Sequence, residues 1–163
     1  MGELNRAETG APGAAGDLIA ETLRKIEASW ENLVAALDGI PEERLGEPGA
    51  VGEWSVKDVM GHVGFWAEQA VVAAQREMAG EPRLEVDWQA MNEREAAANR
   101  GRSAAEQRAA MERGHENALD LLRSAPRLDP RTVGLCGCLQ EDTYEHYDAH
   151  AADIRAWRER AGV

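Results

Sequence analysis

Cysteine is scarce in this chain, with only Cys136 and Cys138 among 163 residues. Two cysteines in such a chain build no disulfide framework, so a reducing, cytoplasmic setting is the expectation. Valine and threonine are few and scattered, with no alternating run of strand length, which argues against a β-sheet core. No stretch approaches the ~20 apolar residues of a membrane-spanning helix. The opening "MGELNRAETGAPGAAGD" lacks a basic head followed by an apolar block, so it does not read as a secretory signal. Residues 1–16 read instead as a flexible Gly/Ala tail ahead of a single domain over 17–163. Basic residues are also short: 18 Lys and Arg stand against 30 Asp and Glu, a net charge of −12. They are interleaved with the acids rather than clustered, and a phosphate backbone needs them clustered. Neither a nucleic acid nor a membrane is expected as a partner.

What the chain does contain favours helices. The hydrophobic fraction is 44%, much of it alanine, and there are five tryptophans. Ala, Glu, Arg and Leu are strong helix formers. From Asp17 to about Leu37 the residues Ile19, Leu23, Ile26, Trp30, Leu33 and Leu37 alternate spacings of four and three, a core-facing stripe ended by Gly39 and Pro41. "SVKD" at Ser55 opens a second helix like a capping box. That helix runs to Gly80 and Pro82, with Val56, Met60, Val63, Ala67, Ala70, Ala74 and Met78 facing inward. A third helix begins at Ser103, with Glu106 completing its box, and carries Met111, Ala118, Leu119 and Leu122 before Pro126. A fourth starts near Asp142 or Thr143 and ends near Gly162. "VDWQAMNEREAAANRGR" predicts a shorter helix with Trp88 and Met91 inward. Residues 39–54 and 126–142 read as loops, longer than the two to eight residues common between tight antiparallel helices. The expected fold is all-α: a four-helix bundle with long crossover connections and a short extra helix.

Four histidines are present, and two of them sit four apart in "TYEHYDAHAADIRAW", residues 143–157. At about 100° per residue, Tyr147, His150, Ile154 and Trp157 fall on the inner stripe of the last helix, with His146 and Asp153 at its edge. Side chains at i and i+4 lie roughly 5–6 Å apart at Cβ, close enough for both rings to reach one ion. A lone H-x-x-x-H pair on an alanine-rich helix is a weak signal, more often a pair of hydrogen-bonded core or boundary histidines than a metal site. A third ligand would have to come from another helix.

Two blocks sharpen this. "GEWSVKDVMGHVGFW" at 52–66 resembles the second-helix opening of the DinB/YfiT-like superfamily of metalloenzymes: a tryptophan, a Ser-Val-Lys-Asp-like cap, then a histidine seven or eight positions on. "TYEHYDAH" resembles the final-helix H-x-x-x-H of that family, and the order of the two blocks matches. The resemblance implies a four-helix bundle in which His62, His146 and His150 hold a divalent ion: zinc, nickel, iron or manganese, which three imidazoles discriminate poorly. Three such ligands leave positions open, as in reactive sites. Ligating imidazoles are neutral, so binding is expected to fade as pH falls through ~6.5.

The neighbours of these histidines read in two ways each. Asp58 lies one turn before His62 and could hold its ring, but it also completes the Ser55 box. Asp153, three after His150, could support that ring or sit at the bundle edge. Trp66 and Tyr147 are core residues or pocket walls. His115 shares the apolar spacing of Met111 and Leu122 and reads as a boundary histidine. Cys136 and Cys138 fall in a Gly-rich segment taken as loop, with no second pair to complete a thiolate site.

The resemblance implies an enzyme acting on a small molecule, a thiol-dependent S-transferase or isomerase using mycothiol, bacillithiol or glutathione. The alternative is the ClbS/DfsB-like branch of the same fold, a metal-free protein that binds or hydrolyses a reactive metabolite. The presence of His62 together with the pair favours the metal. The resemblance also implies a homodimer through a helix face, and a dimerising bundle without chemistry is the plainest option.

Overall fold

The computed structural model describes residues 12–127 and 129–163, with side chains from Asp17 onward. Six helices make up most of it: α1 (Pro12–Leu37), α2 (Val56–Ala79), α3 (Trp88–Asn99), α4 (Ala104–Ser124), α5 (Thr132–Gln140) and α6 (His146–Ala161). A turn of π-helix, Glu141–Glu145, joins α5 to α6, and two short antiparallel strands, β1 (Pro48–Val51) and β2 (Trp54–Ser55), precede α2. Of the expected tail, residues 1–11 lie outside the described residues, whereas 12–16 already belong to α1. No described helix is long and apolar enough to cross a membrane.

Both expected capping boxes form. Ser55 Oγ accepts from the Asp58 amide at 3.2 Å while Asp58 Oδ2 accepts from the Ser55 amide at 2.9 Å. Ser103 and Glu106 repeat the arrangement at 3.2 and 2.7 Å. Each box satisfies amides that the first helical turn leaves without partners. Gly80 ends α2 in the left-handed conformation, φ 71°, as a C-terminal glycine does at little steric cost.

The principal packing partners are α2 with α4, α1 with α6, and α2 with α5. The long helices α1 and α2, and α4 and the α5–α6 arm, are not principal partners and are joined by crossovers. Side chains reinforce the α1–α6 seam. Arg158 donates to the carbonyls of Ala36 and Asp38 at 3.0 and 2.7 Å, closing the C-terminus of α1. Asp148 accepts from Ser29 at 2.9 Å and Asn32 at 2.7 Å. In the interior, His115 is buried and stacks on Trp30 with ring centroids 4.0 Å apart. Burial, the largest cause, holds its pKa down at about 4.

Two expectations need correction. Residues 126–142 are largely helix rather than loop. Leu135, Cys136 and Leu139 turn into the core, and their burial outweighs the cost of about 1 kcal/mol for each helical glycine, here Gly134 and Gly137. The last arm of the bundle thus runs from Thr132 to Ala161 with the π turn inside it. Trp88 is not inward; it is 70% exposed. It begins the α3 stripe continued by Asn92, Glu95 and Asn99, but every residue from 81 to 89 is exposed, so nothing covers that end.

The α2–α4 contact is backbone against backbone. A Cβ on Gly64 would lie 2.7 Å from the Met111 amide nitrogen, and one on Gly114 would lie 2.8 Å from the Gly64 carbonyl oxygen. A Cβ on Gly137 meets nothing within 4 Å. Alanine gains about 1 kcal/mol over glycine in a helix, but overpacking against a backbone that cannot swing aside costs about 1–3 kcal/mol or more. Gly64→Ala should therefore lower Tm by about 2–8 °C, whereas Gly137→Ala should raise it slightly. Thermal unfolding of both variants checks this, and a Gly64→Ala protein as stable as the parent would contradict the close contact.

Candidate metal centre

His62 stands in the second turn of α2, and His146 and His150 occupy the first two turns of α6. The Ser55 box fixes where α2 begins, and the π turn precedes the first residue of α6. The Nε2 atoms of His62 and His146 are 3.0 Å apart, and those of His146 and His150 are 2.9 Å apart. One nitrogen from each of the three rings lies within 4.8 Å of the others.

Protons serve this arrangement badly. A neutral imidazole has one N–H and one lone pair. The Nδ1 of His150 lies 3.0 Å from Asp153 Oδ2, and a carboxylate can only accept, so the His150 proton belongs on Nδ1 and its Nε2 is a lone pair. Nε2 of His146 then has at most one proton to offer two facing nitrogens. Protonating the rings is opposed by their surroundings. Burial, then the neighbouring His150, holds His62 at about 4. Burial, then His150 and His62, holds His146 at about 3. Burial also lowers His150, although Asp153 pulls it the other way. The contact with Asp153 is accordingly a hydrogen bond from a neutral ring near neutral pH, not an ion pair. Three neutral imidazoles with nitrogens turned to one point could hold a cation. Nitrogens bound to one ion at about 2.1 Å, with angles of about 90–110°, stand about 3.0–3.4 Å apart, close to the spacings here.

The other residues singled out from the sequence distribute as follows. Both Asp58 bonds go to Ser55 within the capping box, and the Nδ1 of His62 is buried without a protein partner. Trp66 is half-buried, its ring centroid 6.4 Å from that of His62, and its indole N–H donates to Asn92 Oδ1 of α3 at 2.8 Å. Tyr147 is fully buried, with its hydroxyl lacking a protein partner, and it packs edge-on against Trp30 at 5.6 Å. His115 sits beside Tyr147, ring centroids 5.9 Å apart, and is not among the three clustered rings. Cys136 and Cys138 are buried free thiols on α5, and Arg83 donates to Cys138 Sγ at 3.6 Å. Trp54 was not singled out from the sequence. The β1–β2 hairpin sets it 4.8 Å from the His62 ring, and its one signal was its place at the head of the "WSVKD" block.

A profile of the DinB superfamily matches residues 25–136, a span that includes His62 and stops before His146 and His150. No match was found among curated proteins. The crystal structure of an uncharacterised protein from Escherichia coli UTI89 is similar in fold, with a TM-score of 0.76 at 16% identity, over 89% of this chain and 95% of that one. With the matched segment covering more than half of its length, the chain belongs to the DinB superfamily.

Proposed function

We propose that the protein is a divalent-metal-dependent enzyme whose ion is held by His62, His146 and His150. The observation that supports this most strongly is the convergence of three imidazole nitrogens, two pairs of them 3.0 and 2.9 Å apart, where burial lowers the pKa of all three rings. When bound, such an ion acts as a Lewis acid and lowers the pKa of a water or thiol presented to it. The chain's own residues supply the rest. Asp153 holds the proton on Nδ1 of His150, which fixes the tautomer and the ring orientation. Trp54 and Trp66 flank His62 and give the site an apolar wall that limits water. Tyr147 acts from behind as core. Three nitrogen ligands leave zinc, nickel, iron and manganese all open.

The resemblance of the "WSVKD" and "TYEHYDAH" blocks to the DinB/YfiT-like family supports the finer reading, an S-transferase or isomerase that joins a low-molecular-weight thiol to a small electrophile. The same likeness supports a homodimer, for which a light-scattering mass near 17.8 kDa at working concentration would count as contrary.

His62→Ala, His146→Ala and His150→Ala should each weaken metal retention by more than about 100-fold, and Asp153→Asn by about 10-fold, while His115→Ala keeps it. Protons compete for a ligand only below its pKa in the folded chain. With burial holding all three rings below their ordinary value, retention should therefore persist below the ~6.5 that free imidazole suggests, and His150, which Asp153 pulls upward, should be the first ligand lost on further acidification. Elemental analysis of protein purified without a nickel column checks both statements. The site is wrong if the parent takes up none of zinc, nickel, manganese or iron, or if the three alanine variants hold a full equivalent.

The thiol reading is tested separately. Metal-loaded protein should accelerate conjugation of 1-chloro-2,4-dinitrobenzene with at least one of mycothiol, bacillithiol and glutathione, and His62→Ala should abolish the acceleration. Full metal loading with no acceleration by any of the three would remove the transferase reading and leave the metal centre standing.

A further inference from the structure

A groove of about 540 Å³ opens between α2, α3 and α4, and none of the three clustered histidines lines it. It exists because α3 packs against α2 and stands off from α4. The indole bond from Trp66 to Asn92 pins α3 in that position. Phe65, Met91 and Ala110 form an apolar wall. The volume falls within the range of small-molecule sites, roughly 300–1,000 Å³.

Two observations of opposite charge meet in this groove. Glu95 lines it while only 8% exposed, and its Oε1 is buried without a partner. A buried carboxyl oxygen left so costs free energy until a donor reaches it. Burial accordingly pushes this carboxyl up to about 7, against the pull of Arg102. Arg94, Arg102 and Arg113 also line the groove, and among the described residues none of the three is ion-paired. Three unpaired guanidiniums beside one groove are conspicuous in a chain of net charge −12.

We propose that this groove is a second binding site, separate from the histidine cluster, for a small zwitterion with an apolar body, the chemistry of an α-amino acid. The ammonium bonds to Glu95, the carboxylate meets Arg102 and Arg113, and the apolar body lies against Phe65 and Met91. Arginine suits a carboxylate through its paired, planar N–H donors.

L-Phenylalanine is the probe, with 2-phenylethylamine lacking the carboxylate and 3-phenylpropanoate lacking the ammonium, each titrated calorimetrically into the full chain. L-Phenylalanine should bind with Kd below about 1 mM, and each truncated probe about 10-fold or more weaker. Glu95→Gln should weaken L-phenylalanine and 2-phenylethylamine by about 10-fold while leaving 3-phenylpropanoate unchanged. Arg102→Ala, an exposed change that spares folding, should show the converse pattern. His62→Ala should leave L-phenylalanine binding intact. The proposal is overturned if L-phenylalanine fails to bind up to about 10 mM, if neither variant alters the order of the three probes, or if His62→Ala abolishes binding and so places the ligand at the histidines.

Discussion

The near-contact of α2 and α4 is the constraint on which the rest of the molecule depends. Gly64 and Gly114 let the two backbones approach to a distance that no Cβ would tolerate. With α2 held this closely along one side, its remaining faces have defined directions. His62 turns towards α6, where it meets His146 and His150. Gly61 and Phe65, on the adjoining face, turn towards the space that α3 encloses. A shift of α2 by the width of one methyl group would disturb both regions together, because close-packed helices transmit displacement rather than absorb it.

Burial does two things at the histidine cluster. It removes water that would otherwise compete for the ring nitrogens, and it raises the free energy of the imidazolium form, which keeps lone pairs available near neutral pH. The three rings also oppose each other's protonation, since a charge on one disfavours a charge on the next. Asp153 lies at the rim, part-exposed, and tempers this for His150 alone. The outcome is a donor set ready for a cation and poorly suited to protons. A hydrogen-bonded boundary pair of histidines would have looked different, with each ring nitrogen facing its own oxygen partner.

The π turn at Glu141–Glu145 bears on this geometry. Such single-turn insertions in helices are rare and recur at functional sites. Here one lies directly ahead of His146, where an extra residue in the turn changes the angular phase between α5 and α6. Leu135 and Leu139 point into the core before it, and His146, His150 and Ile154 point inward after it.

Much of this was readable from the sequence. The spacing from Ile19 to Leu37 gave the buried side of α1, and Ser55–Asp58 and Ser103–Glu106 marked two helix starts, because caps and stripes are local properties of a few neighbouring residues. The i, i+4 spacing likewise placed His146 and His150 on one side of a helix. The meeting of these two with His62 came from the likeness to a family, since spacing alone says nothing about contacts between distant segments. Tertiary structure decided what local rules could not. It made a helix of residues 132–140 despite two glycines, because the core rewarded burying Leu135 and Leu139. It left Trp88 in solvent, because no element was there to cover it, and it brought Trp54 to the His62 ring through a short hairpin. Burial and shared space belong to the assembled chain, so neither the depressed pKa values of the histidines nor the groove around Glu95 could be read from the residues in order.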